Sequence, residues 1–111
     1  MNGVLLVDKP AGMTSHDVVD KVRKLAGMRR VGHTGTLDPS ATGLLIMCLG
    51  VATRLSEHFT GMGKTYEGTM RLGLTTSSYD LEGEIESEKE VPDLDIARIQ
   101  EECNAFMGPI E

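Results

Sequence analysis

The sequence has little of what secreted, membrane-spanning or metal-bound domains rely on. Only two of its 111 residues are cysteine, Cys48 and Cys103, and they form no Cys-x-x-Cys pair. That excludes a disulfide framework and points to a reducing, cytoplasmic setting. Tryptophan is absent, and there are only two Phe and two Tyr, so any core is aliphatic. The longest uninterrupted aliphatic run is Leu44 to Leu49, far short of a membrane span. No basic segment precedes an apolar one at the start, so the first residues do not read as a signal peptide. The histidines, His16, His33 and His58, are scattered and make no short metal-ligand spacing with the cysteines. Gly63-Lys64-Thr65 looks like the end of a phosphate-binding loop. That motif needs Gly at position 58, which is His.

What is present is a charge boundary. The formal net charge is −6, which taken alone argues against a nucleic-acid partner. Residues 1–76 hold nine Lys/Arg and six Asp/Glu, a net of +3, whereas residues 77–111 hold two and eleven, a net of −9. An anionic ligand therefore belongs with the first segment. In the second, Glu82, Glu84, Glu86, Glu88 and Glu90 alternate. At the strand period they line one face, which reads as the solvated side of an edge strand.

Local patterns predict a mixed α+β architecture. Gly3 to Val7 is a short apolar strand that ends at Asp8-Lys9-Pro10. Thr14 and Ser15 are helix N-cap candidates, with Asp17 placed for the first turn. Val18, Val19, Val22, Leu25 and Ala26 share one helical face, and Gly27 is a C-terminal stop, so 15–26 is an amphipathic helix. Residues 32–43 form a long irregular loop, and Leu44 to Leu49 a buried strand. Residues 51–59 fit a short helix with Leu55 and Phe59 inward. Strands are expected over 64–75 and 82–90. Pro92-Asp93 announces a last helix with Ile96, Ile99, Cys103 and Phe106 on one side.

The loop Gly32-His33-Thr34-Gly35-Thr36-Leu37-Asp38-Pro39-Ser40-Ala41-Thr42-Gly43 is the most informative segment. Pro39 biases Asp38 away from helical angles. The strand that follows would anchor the loop and hold one carboxylate at a fixed point, a common plan for a catalytic group. The alternative is an Asx-turn, in which Asp38 caps its own loop.

Three blocks occur in order: Gly3-Val-Leu-Leu-Val-Asp-Lys-Pro-Ala-Gly-Met-Thr-Ser15, Gly32 to Leu45, and Lys64-Thr-Tyr-Glu-Gly68. Together they resemble the TruB family of RNA pseudouridine synthases, which isomerise a uridine in the T-loop of tRNA. The resemblance runs from Gly3 to about Gly108. The start, two residues before the first block, resembles bacterial members more than the guide-RNA-dependent, dyskerin-like subunits. The implied fold is the pseudouridine synthase catalytic fold, a mixed, mainly antiparallel sheet flanked by helices. The implied partner is the tRNA T-arm. The reaction requires no cofactor and no metal, and no membrane.

By the resemblance, Asp38 is the catalytic aspartate. Tyr66 stacks on the flipped-out uracil and assists proton transfer. His33 helps hold the rearranged RNA loop, Lys9 and Pro10 shape the site, and Asp80 stands near the flipped base. Lys64, Arg29, Arg30 and Arg71 are candidates for phosphate contact. Ser77 departs from the family, which usually has an acid there. Family members are also much longer. Residues 1–111 are therefore expected to be the N-terminal portion of the catalytic domain, without its remainder or a C-terminal PUA domain. Such a piece is expected to need self-association or a complementary segment, for example a second chain that supplies the rest of the catalytic domain. An RNA-binding fragment without turnover is the other reading.

Overall fold

The computed structural model describes residues 1–110. The chain divides into two compact units, Met1–Thr65 and Tyr66–Glu111. The first contains β1 (Gly3–Lys9), α1 (Ser15–Ala26), β2 (Val31–His33), β3 (Gly43–Leu49), a 3-10 segment (Gly50–Leu55) and α2 (Ser56–Thr60). The second contains β4 (Leu74–Thr76), β5 (Ile85–Glu88) and α3 (Ile96–Asn104). The architecture is α+β.

In the first unit β3 is the central strand of an antiparallel sheet ordered β1-β3-β2. Gly3 pairs with Leu49 and Lys9 with Gly43, so β1 spans the whole of β3. Alternation puts Leu45, Met47 and Leu49 on one face. That face is buried with Val31 and with Val18 and Val19 of α1. Leu37, from the irregular loop, belongs to the same core.

Helix α1 begins and ends where its local chemistry dictates. The Thr14 hydroxyl accepts the Asp17 N–H at 3.0 Å, and the Asp17 carboxylate accepts the Thr14 N–H at 2.9 Å. This reciprocal box satisfies two donors that the first turn leaves free. The same bonds, the Thr14 N–H foremost, hold the Asp17 carboxyl below its ordinary pKa. At the other end Gly27 takes φ 61° and donates its N–H to the Arg23 carbonyl, the left-handed stop that suits glycine. Leu25 departs from the expected face: it lies in the last turn and is 81% exposed.

Other boundaries differ from the sequence pattern. The first strand continues to Lys9, and a three-residue strand, β2, opens the loop expected over 32–43. The helix expected over 51–59 is a 3-10 turn followed by a short α-helix, and Leu55 faces solvent. Of the expected strand 64–75 only Leu74 and Thr75 are in a strand, as part of β4, because only β4 pairs with β5. The strand expected over 82–90 narrows to Ile85–Glu88. Of the alternating carboxylates, only Glu86 and Glu88 therefore lie on a strand. The last helix starts at the Asp95 cap, whose side chain accepts the Arg98 N–H. Its expected apolar side is exposed, including Ile96 and Phe106.

Replacing Thr14 by Ala should destabilise the first unit by about 0.5–2 kcal/mol, read from urea unfolding. Because Asp17 has a lowered pKa when folded, its contribution is present above the ordinary carboxylate pKa. It is lost as pH falls through the lowered value. Asp17→Asn should therefore flatten the acid limb of the stability–pH profile.

Candidate active site

Asp38 lies in a loop fixed on both sides by groups far away in sequence. On its N-terminal side, Leu37 is buried in the core. The Ser15 hydroxyl accepts the Leu37 N–H at 2.9 Å and donates to the Leu37 carbonyl at 3.3 Å. Both polar groups of a buried peptide are thus satisfied by one side chain at the start of α1. On its C-terminal side, the Pro39 carbonyl accepts the Gly12 N–H at 2.7 Å and the Lys9 ammonium at 3.2 Å. The Ala41 N–H closes a turn onto the Asp38 carbonyl at 3.0 Å.

Lys9 explains how these segments meet. Its side chain is fully buried. The ammonium donates to the carbonyls of Met13 (2.7 Å), Pro10 (2.9 Å) and Pro39 (3.2 Å). An ammonium has three donors, so each has an acceptor. Lys9 was expected among the substrate-binding residues that shape the site; here the lysine lies beneath the loop, out of reach of solvent, with no donor left for a substrate.

The Asp38 carboxylate is free. The residue is exposed, and its only hydrogen bond among the described residues is the one its backbone carbonyl accepts. The Asx-turn alternative therefore does not describe this loop. A rigid backbone carrying an unengaged carboxylate is what a nucleophile or base needs.

The loop start is pinned as well. Thr34 is buried, and its N–H and hydroxyl both donate to the Ile46 carbonyl of β3, each at 3.0 Å. Its own carbonyl accepts the Thr60 hydroxyl at 2.9 Å. Beside it, His33 pairs across the sheet with Met47, and its buried Nδ1 has no hydrogen-bond partner. Lys64 is exposed, and its ammonium lies against Gly35 of the same loop. The first unit thus brings together Asp38, Lys9 and Lys64 around one loop, with His33 at its root.

Two expected residues lie in the second unit. Tyr66 is 67% exposed. Asp80 organises its own turn: one carboxylate oxygen accepts the Ser78 hydroxyl (2.5 Å) and the N–H groups of Glu82 (2.9 Å) and Gly83 (3.2 Å). These bonds, the Ser78 hydroxyl foremost, hold its pKa below the ordinary value. Ser77, where the resemblance leads one to expect an acid, accepts the Glu84 N–H through its hydroxyl at 3.2 Å. Of the other cation candidates, Arg71 pairs with Glu88 at 3.7 Å and Arg30 donates to the Thr53 hydroxyl at 2.9 Å. Two features escaped the sequence reading. Ser15 was visible only as a cap candidate, although its hydroxyl holds Leu37. Tyr79 sits almost fully exposed at φ 60°; the Ser-Ser-Tyr-Asp turn was its only signal.

Among the described residues, no three His, Cys, Asp or Glu side chains come together as a metal site, and no helix is long and apolar enough to cross a membrane.

Ser15→Ala would leave the buried Leu37 N–H without a partner. A loss of about 1–3 kcal/mol is expected for such a group. Urea unfolding should show it, and the Leu37 amide should exchange faster.

Residues 23–111 match the profile described as TruB family pseudouridylate synthase (N terminal domain). A relative named tRNA pseudouridine synthase B from Geobacillus thermodenitrificans is 53% identical over all of this chain and 37% of its own length. One of the same name from Opitutus terrae is 50% identical over 97% of this chain and 45% of its own. A third, from Gloeobacter violaceus, is 50% identical over 99% of this chain and 37% of its own. The chain thus spans less than half the length of these relatives. The profile match covers most of the chain, and on that ground the chain belongs to the TruB family of pseudouridylate synthases.

Proposed function

We propose that this chain carries the aspartate-bearing, N-terminal portion of a catalytic domain that converts a T-loop uridine of tRNA to pseudouridine. The observation that carries the reading is the free Asp38 carboxylate on a backbone clamped by Ser15, Lys9 and Gly12. The relatives' shared name supports the tRNA substrate.

In this reaction the C1′–N1 bond of the uridine breaks and a C1′–C5 bond forms. The C5 hydrogen leaves as a proton, and N1 ends protonated. No electrons are transferred, so the product is an isomer. Asp38 acts on the ribose, either by attack at C1′ or by taking a ribose proton. Fixed placement matters because the detached uracil must turn and rejoin before water intervenes. Tyr66 offers an exposed aromatic face for a base taken out of the stack. His33 supports the rearranged RNA loop, Lys9 acts from beneath through the Pro39 carbonyl, and Asp80 frames its turn near the base. Lys64 and the other cations of the +3 segment receive phosphates.

A second reading has a specific observation behind it. Among the described residues, the second unit buries no large apolar side chain, and Met70, Leu81, Ile85, Ile96 and Phe106 are all mostly exposed. That supports an RNA-binding portion that turns over only with a complementary segment, in the same chain or a second one, to cover them.

Tritium release from C5-labelled uridine in tRNA separates the readings. Release is expected from the chain together with the segment that completes its relatives' length. Asp38→Asn should lower it by at least about 100-fold, with tRNA binding retained. Equal release from Asp38→Asn would contradict the assignment. Binding without release, even with the completing segment, would favour the second reading.

A further inference from the structure

The Thr60 hydroxyl lies between two carbonyls and has one proton to give. The Ser56 carbonyl is 2.8 Å away and the Thr34 carbonyl 2.9 Å. Thr60 ends α2, and within that helix the Ser56 carbonyl already has the Thr60 N–H as its regular partner. The Thr34 carbonyl has no other donor among the described residues, and Thr34 is buried. Leaving such a carbonyl unpaired is costly, so the proton belongs to Thr34. The last residue of α2 thus directs its side chain to the root of the Asp38 loop.

The place of that carbonyl in the loop gives the bond its consequence. The Thr34 N–H is held by Ile46, both peptide groups of Leu37 by Ser15, and the Pro39 carbonyl by Lys9 and Gly12. Between these points Gly35 and Thr36 make no hydrogen bond among the described residues. The bond to Ile46 fixes the peptide before Thr34 and leaves the Thr34–Gly35 peptide plane to be fixed by something else. Glycine on one side of that plane offers little resistance to its rotation. The Thr60 hydroxyl is the group that holds it.

We propose that Thr60 is a positioning residue for Asp38: its hydroxyl fixes the Thr34–Gly35 peptide plane and so sets where the loop delivers the carboxylate. The proposal rests on the reading of Asp38 given above and adds to it a residue of α2 that touches no substrate. Its effect falls on the chemical step, because a displaced carboxylate misses the ribose while the side chains that hold the RNA keep their places.

The test is tritium release from C5-labelled uridine in tRNA by the chain together with the segment that completes its relatives' length. Thr60→Val keeps the shape of the side chain and removes the donor. It should lower kcat about 2- to 10-fold, with KM and the thermal midpoint at their wild-type values. Thr60→Ser keeps the donor and should restore kcat; a packing role would give the opposite order, tolerating Val and not Ser. The bond itself is read in the chain alone from the Gly35 amide nitrogen resonance, since that nitrogen shares its peptide with the Thr34 carbonyl. The resonance should shift in Thr60→Val and return in Thr60→Ser. Wild-type kcat in Thr60→Val, or an unshifted Gly35 resonance, would overturn the proposal and leave the reading of Asp38 intact. So would equal losses of kcat in Thr60→Val and Thr60→Ser. No release from the wild-type assembly would contradict the reading of Asp38, and the proposal would fall with it.

Discussion

A fully buried ammonium holds the candidate active site together. Lys9 ends β1, yet its charge is spent on the carbonyls of Pro10, Met13 and Pro39. Burying a charge is unfavourable unless hydrogen bonds compensate it, and here three carbonyl dipoles do so. The consequence is mutual. The lysine tolerates its interior position only if the turn after β1 and the turn after Asp38 both present their oxygens to it. Each loop is therefore a condition of the other's conformation.

From that junction the rest of the first unit follows. Gly12 adds a second donor to the Pro39 carbonyl, and Ser15 takes hold of Leu37. The β1–α1 connection thus grips both neighbours of Asp38 and leaves its carboxylate alone. The sheet serves as the base: β3 carries the core residues that receive Leu37, and its Ile46 carbonyl fixes Thr34. Backbone groups, Leu37 and the Thr34 hydroxyl hold the twelve-residue stretch, and the carboxylate of its one acidic residue makes no hydrogen bond among the described residues.

Legibility in the sequence tracked the range of the interaction. Helix α1 was readable because Thr14, Asp17, the paired valines and Gly27 all lie within it or at its ends and agree. The loop around Asp38 was readable as rigid from Pro39 and its flanking strand. What held it rigid was not, since Lys9 reaches Pro39 across 30 residues and Ser15 reaches Leu37 across 22. The expected strand over 64–75 failed for a related reason. Strand character there depends on a partner, and only Leu74 and Thr75 have one in β5. Leu25, Leu55, Ile96 and Phe106 carried helical periodicity without the surface that would bury them. The roles of Asp38 and Tyr66 came from resemblance to the TruB family, because a single carboxylate and a single aromatic do not announce a reaction.

The most direct test of the clamp is amide hydrogen exchange in Lys9→Met. This substitution keeps an unbranched side chain and removes the charge. The account predicts faster exchange at Gly12, Leu37 and Ala41, with the β1–β3 ladder amides still protected. Wild-type protection at Gly12 and Leu37 in that variant would contradict it, because the Asp38 loop would then be held without the buried ammonium.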